Sequence, residues 1–478
     1  MATLDEALGA LTKLAEELKK RQGDSANCYG VETLTAAYDG QFKLRFASED
    51  FRDFFANRYQ QFSDNWCGIV ADAPHERLEA VGIRLKGEES GDSVLWDAWR
   101  ENDADALSDL AILDAIIAKR AFALVWGNED DESRITWEHP SQAIVGYDPE
   151  TRARIAGAKV WADDDREYAT LYLKDEVWKF ERDRVQNGRT ESGLYVVGLE
   201  GGWRPRGEGV IDNPLGKVPL VEMANRPRLV GEPLSDISGT LAMQHAINLI
   251  WAQLFVALDS ASWPQRVIYG AEMPTIPILD ENGQEIGERP IDLKKFAADR
   301  AIWLEDPNVK ISEWSATNLE AYTKIIEIAV GHIAAQTRTP AHYLLIGGTI
   351  ANVSGDAMKA LETGLVKRTE EKTQHFGRAI RDVFELVALV QDDADKAAAV
   401  RGGQVLWKDV ENRSDAQRAD ALSKKKEIGY PLRYLLELDG LPPHEIERVM
   451  AMAEDEKRDV MIENALRPLL NPDEPDES

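Results

Sequence analysis

The sequence predicts a mainly helical α+β protein. Long stretches whose apolar residues recur at spacings of three and four flank a central region of short Val-, Tyr- and Trp-rich runs separated by turn clusters. The chain is 44% apolar with thirteen Trp, enough to fill a large core, and so is neither disordered nor fibrous. Its 478 residues suffice for about three domains.

Residues 1–20 read as an amphipathic helix, with Leu4, Leu8, Leu11 and Leu18 set among Glu6, Lys13, Glu16 and Glu17, and not as an export signal. The clearest pattern covers 50–72, where Phe51, Phe54, Phe55, Tyr59, Phe62, Trp66, Ile69 and Val70 form a wide aromatic stripe on one predicted helix. Helices over 95–100 and 104–120 repeat the pattern, and 121–127 reads as a short buried strand ending in a polar turn. From 134 to about 200, runs at 158–161, 168–173 and 177–180 between turn clusters predict an antiparallel meander.

Pro214, Pro219 and Pro227 make 213–227 an extended crossover. The helix expected over 235–262 carries Ile237, Leu241, Trp251, Phe255 and Leu258 on one stripe and Ile247, Ile250 and Leu254 on a second, so it needs two neighbours. A proline-rich insertion with strands at 266–269 and 301–304 leads to a helix over 318–338. That helix has Leu319, Tyr322, Ile326, Ala329 and Ile333 on a dry face and Glu320, Thr323, Lys324 and Glu327 on a wet one.

Thr339 and Pro340 end it, and 341–353 is an almost uncharged loop containing Gly347 and Gly348. Ser354 is expected to cap a helix that runs to about 391 and bends near Gly364 or Gly377. A strand at 404–407, a helix at 414–428, two short helices flanking 440–443 and a disordered acidic tail at 471–478 complete the reading.

The formal charge of -29 argues against any general grip on nucleic-acid phosphates. Cys28 and Cys67 are too few for a disulfide framework and lack the paired spacing of a zinc site, which fits a reducing compartment. The most apolar run, 247–258, is broken by Asn248 and Gln253 and falls short of the ~20 residues of a spanning helix, so no membrane segment is expected.

The sequence contains no HExxH, GxSxG or GxGxxG motif. The stretch 209–217 departs from a phosphate loop, because six residues separate Gly209 from Gly216 and Val218 stands where the magnesium-binding hydroxyl belongs. Acidic clusters at 129–132 and 163–167 leave open a metal-dependent nuclease or hydrolase. Carboxylates consecutive in a turn more often only solvate it. The histidines are scattered, so no catalytic residue, metal or cofactor is expected.

Several stretches together resemble the portal proteins of tailed bacteriophages, of the type seen in phages of actinobacteria. They are 42–85, 213–227 (NPLGKVPLVEMANRP), 333–365 (IAAQTRTPAHYLLIGGTIANVSGDAMKALETGL), 405–420 and 424–429. The resemblance implies a non-enzymatic subunit of a homo-oligomeric ring, usually of about twelve copies, with a central channel at one capsid vertex of the virion. Double-stranded DNA is packaged and ejected through such a ring without sequence specificity. The implied partners are the large terminase, the head-to-tail adaptor, the major capsid protein and scaffold, with no membrane.

The resemblance also implies a division of the chain. Residues 1–233 would form the wing, 234–262 and 312–340 the two stem helices, 263–311 the clip, 341–354 the tunnel loop, 355–401 a long wing helix and 402–470 the crown. Leu344, Leu345, Ile346, Gly347, Gly348, Thr349, Ile350, Ala351 and Asn352 would then line the DNA channel, their lack of charge permitting steric contact without a salt-dependent grip. Glu320, Lys324 and Glu327 become a stem face towards the lumen. Leu344, Leu345 and Ile346 make the start of this loop bulkier than the glycine-richer family version.

Overall fold

The computed structural model describes residues 2–470 apart from 27, 45–46, 59–62, 128–131, 185–201, 263–265, 270–274, 280–283, 291–300, 305–318, 345–354 and 412–414. The chain divides into two compact units. The larger comprises Met1–Gln41, Asn65–Leu241 and Ile333–Ser478, the smaller Phe42–Asp64 and Ala242–His332.

The chain begins with α1 (Leu4–Gln22), α2 (Val31–Tyr38), α3 (Glu49–Arg58) and α4 (Trp66–His75), then β1 (Ala80–Arg84), α5 (Ser93–Glu101) and α6 (Ala104–Ala118). A capping box between Thr3 and Glu6 starts α1. The aromatic stripe over 50–72 does not form one helix, because Asn65 starts a new one. Its side-chain oxygen accepts from the backbone N–H groups of Cys67 (3.1 Å) and Gly68 (3.3 Å) at the head of α4.

Eight strands follow: β2 (Arg120–Gly127), β3 (Ser133–Glu138), β4 (Ala143–Tyr147), β5 (Arg154–Ala162), β6 (Arg166–Leu173), β7 (Glu176–Asp183), β8 (Arg204–Asp212) and β9 (Leu220–Ala224). The predicted meander is present, with β4 to β8 pairing antiparallel in sequence order. Ala7, Leu11, Ala15 and Leu18 of α1 pack onto it against Ala158, Val160, Leu171 and Phe180. β2 runs between β3 and β9, antiparallel to both. Gly209 lies inside β8, so the stretch after it begins as strand and does not wrap a phosphate.

The remaining elements are α7 (Leu241–Ser262), β10 (Arg266–Tyr269), β11 (Thr275–Leu279), β12 (Glu285–Pro290), β13 (Ala301–Leu304), α8 (Leu319–Thr337), α9 (Ala341–Leu344), α10 (Gly355–Val390), α11 (Ala394–Arg401), β14 (Gln404–Trp407), α12 (Asp415–Glu427), α13 (Leu432–Leu438) and α14 (Pro443–Leu470). β10 and β13 fall on the expected residues and pair in parallel. β14 does too, and pairs antiparallel with β1.

Two of these helices, α7 and α14, differ from expectation. α7 starts at Leu241 and not near 235, because the Asp236 N–H donates to Ile116 O (3.1 Å) and its carboxylate is held elsewhere. α10 runs uninterrupted over nearly the expected residues. Its glycines mark close approaches: an added Cβ at Gly364 would lie 3.3 Å from Arg338 Cβ, and one at Gly377 would lie 3.3 Å from Trp407 Nε1. The helix after Pro442 is 28 residues long, not short. Ser354 and the acidic tail lie outside the described residues.

Candidate functional site: two polar clusters flanking residues 345–354

Two polar clusters in the larger unit hold the chain on either side of residues 345–354. The first joins α9 to α10. Arg77, just beyond α4, donates from Nη2 to the Tyr343 hydroxyl (2.7 Å) and pairs with Glu362 (3.2 Å). The Tyr343 hydroxyl lies 3.4 Å from Glu362 Oε1, and His342 Nε2 lies 3.6 Å from the same oxygen. Arg77 also donates from Nη1 to Val410 O (3.3 Å), which ties the segment after β14 to the same point. A guanidinium is suited to this because its planar fork serves several acceptors at once.

The second cluster is fully buried. Asp236, ahead of α7, pairs with Lys372 (2.8 Å) and with Arg368 (3.6 Å), both on α10. Lys372 Nζ also donates to Asn225 Oδ1 (2.5 Å), and Asn225 Nδ2 donates to Asp236 Oδ1 (3.0 Å). Arg368 donates further to Thr337 O, at the end of α8, and to Val70 O of α4 (2.8 Å). One arginine therefore bonds the end of α8 and the middle of α4 to α10.

Burial acts to raise the Asp236 carboxyl, but the Lys372 and Arg368 cations and the hydrogen bonds from Lys372 and Asn225 hold it below the ordinary carboxylate range. Burial pushes the Lys372 ammonium down to about 8 against the opposing pull of Asp236. Burial likewise lowers Arg368.

Leu344, the last residue of α9, is buried at 1% exposure, so its side chain is not on the surface where a channel-lining residue was expected. Leu345, Ile346, Gly347, Gly348, Thr349, Ile350, Ala351 and Asn352 lie outside the described residues. In the smaller unit, α8 carries Glu320, Lys324 and Glu327 exposed on one side, and Lys324 pairs with Glu320 at 2.9 Å. Such an exposed pair contributes less than about 1 kcal/mol. On α7 the polar residues are used within the unit: Gln244 Nε2 donates to Asp64 O, Asn248 Oδ1 accepts from Asp64 N (3.1 Å), and Trp251 Nε1 donates to Asp64 Oδ2 (3.1 Å).

Among the described residues the acidic clusters do not assemble a metal site. Asp163 accepts from the Tyr168 hydroxyl (2.7 Å) and from the N–H groups of Asp165 (2.9 Å) and Arg166 (2.7 Å), bonds that hold its carboxyl below the usual range. Glu167 is buried against Arg182 (2.6 Å). Of the other cluster, Glu132 is exposed and 129–131 lie outside the described residues. Among the described residues no three His, Cys, Asp or Glu side chains are grouped to hold a metal ion.

The sequence pattern that defines phage portal proteins of the SPP1 Gp6-like type matches residues 56–459. The chain belongs to this family. The portal proteins of the mycobacteriophages D29 and L5 are each 26% identical over 370 residues, covering 74% of this chain and 71% of theirs. Among solved structures, the neck of an empty gene transfer agent particle is 13% identical with a TM-score of 0.42, covering 83% of this chain and 95% of that one. The neck of the native particle gives 12% identity and the same TM-score, covering 86% and 94%.

As a phage portal protein the chain is a structural component of the virion, and the nuclease alternative finds no support in the family or in the acidic side chains. Sequence reading missed Arg77, Asp236, Glu362, Arg368 and Lys372, whose partners are distant in the chain. Glu362 and Arg368 lie six residues apart on α10, and no local spacing marks the partners they take from other segments.

Replacing Tyr343 by phenylalanine removes only the hydroxyl that accepts from Arg77. The expected cost is about 1–2 kcal/mol, read as a lower denaturant midpoint at unchanged slope. A midpoint equal to the parent's would show that the hydroxyl bears no load.

Proposed function

We propose that this portal protein is the repeating subunit of a closed ring of about twelve copies, and that double-stranded DNA passes through its centre during packaging and ejection. The observation that carries the reading is the family match over residues 56–459. Two features of this chain support it. An uncharged segment at 345–352 lies between the residues of two polar clusters, one partly and one fully buried, and a net charge of -29 argues against a general grip on phosphates, so DNA can slide.

In this reading 1–233 is the wing, 234–262 and 312–340 the stem, 263–311 the clip, 341–354 the tunnel loop, 355–401 the long wing helix and 402–470 the crown. Leu345 to Asn352 meet the DNA sterically, and Glu320, Lys324 and Glu327 face the lumen. The clip docks the large terminase and later the head-to-tail adaptor, and the ring's outer surface meets major capsid protein and scaffold. The subunit catalyses nothing and needs no cofactor.

Negative-stain microscopy and mass photometry of the purified protein test this. Closed rings with a central hole are expected. A monomer at every concentration that degrades DNA with magnesium, and loses that activity when Asp163, Asp164 and Asp165 are neutralised, would overturn it.

A further inference from the structure

The C-terminal part of the larger unit carries two surfaces that the described residues leave uncovered. The first spans the end of α12 and α13. Ile428 is 77% exposed, and Tyr430, Leu432, Tyr434 and Leu438 are exposed beside it, with Tyr430 and Tyr434 stacked at 5.6 Å. Immediately before them stand Lys424, Lys425 and Lys426, the last turn of α12; Lys424 pairs with Asp420 (2.6 Å). Contiguous exposed apolar surface of this kind marks an interaction site.

The second surface is α14. Its first turns pack on α13 and α5, and Ile446 is buried. From Glu454 to Met461 every residue is exposed, including Val460 and Met461 at 55% and 72%. A helix in water depends on tertiary packing for most of its stability, so two turns exposed on all sides call for a neighbour. This stretch is net acidic where the first surface is net basic: Met452, also exposed, precedes Glu454, Asp455 and Glu456, and of these Asp455 also pairs with Arg458 (3.4 Å).

We infer that in the assembled ring the exposed part of α14 docks on the Lys424–Lys426 and Ile428–Leu438 surface of the adjacent copy. Met452, Val460 and Met461 meet the tyrosines and leucines, and the acidic triplet meets the lysines. The contact is head to tail, with different surfaces from the two copies, which is the type that propagates around a ring. It rests on the ring reading above.

Three proteins compared by mass photometry decide it. Lys424→Glu/Lys425→Glu/Lys426→Glu carries acid on both surfaces, and Glu454→Lys/Asp455→Lys/Glu456→Lys carries base on both. Each alone is expected to raise the concentration for half-assembly by about tenfold or more, because like charges then oppose each other at every interface. An equimolar mixture is expected to restore the parent value, since acidic surfaces then alternate with basic ones. Circular dichroism equal to the parent's establishes that each variant is folded.

If both folded variants assemble as readily as a ring-forming parent, the inference is overturned and the ring reading stands. A defect that mixing does not repair also overturns it, because contacts within one chain cannot be rescued by another copy. A parent that forms no ring at any concentration overturns the ring reading and this inference with it.

Discussion

Trp99→Ala is expected to destabilise the larger unit by about 3–5 kcal/mol, among the largest effects of any single truncation in this chain. Trp99, on α5, is fully buried. Its ring stacks on Phe384 of α10 at 5.0 Å and on Trp96 at 5.9 Å, and meets Trp137 of β3 edge to face at 5.8 Å. It therefore joins two helices and a strand through one side chain, and its removal leaves a cavity among aromatic rings too large to collapse. Trp99→Phe separates volume from polarity. The indole N–H has no hydrogen-bond partner among the described residues, so phenylalanine loses area but also relieves a buried donor. The phenylalanine variant should retain most of the parent's denaturant midpoint; a midpoint as low as alanine's would mean that the indole shape itself is required.

Elements bounded by local breakers were legible in the sequence. β10, β13 and β14 are short runs rich in apolar residues, and each falls on its predicted residues. The meander was legible for the same reason. What failed was decided at a distance. The residues from 235 read as the first turn of α7, because Ile237 and Leu241 keep the period. Nothing local shows that Lys372 takes the Asp236 carboxylate and Ile116 takes its N–H.

The site divided along the same line. The exposed charges of α8 could be read from their spacing, since a wet face needs no partner. The Arg77–Tyr343–Glu362 root could not, because its members come from three segments. The acidic cluster at 163–167 lies between. Once β6 and β7 form a hairpin, the register sets Glu167 directly opposite Arg182, so its pairing follows from topology but not from composition.

Asp236→Ala is the other large expected effect, about 3–5 kcal/mol, and it has a signature that packing loss does not share. The carboxylate faces two buried cations, Lys372 and Arg368, so deleting it leaves charge in a dry site without a counter-ion. Asp236→Ala/Lys372→Met should cost less than the sum of the two single changes, because the second removes part of what the first orphaned. Costs that simply add would show that the groups act independently.

The pH dependence follows from the direction of each shift. Asp236 is held below its ordinary range, so its contribution is present above the unfolded carboxylate value and is lost as pH falls through the folded one. Lys372 titrates at about 8 when folded, against 10.5 as the ordinary value. Between those values the unfolded chain binds more protons, so this group makes stability rise with pH. In Asp236→Asn the lysine loses its counter-ion and its folded value falls further. The alkaline rise attributable to Lys372 should then begin below pH 8 and vanish on adding Lys372→Met. Unfolding free energies of the parent, Asp236→Asn, Lys372→Met and the double variant across pH 4–11 measure this; parallel curves would show that the charges do not interact.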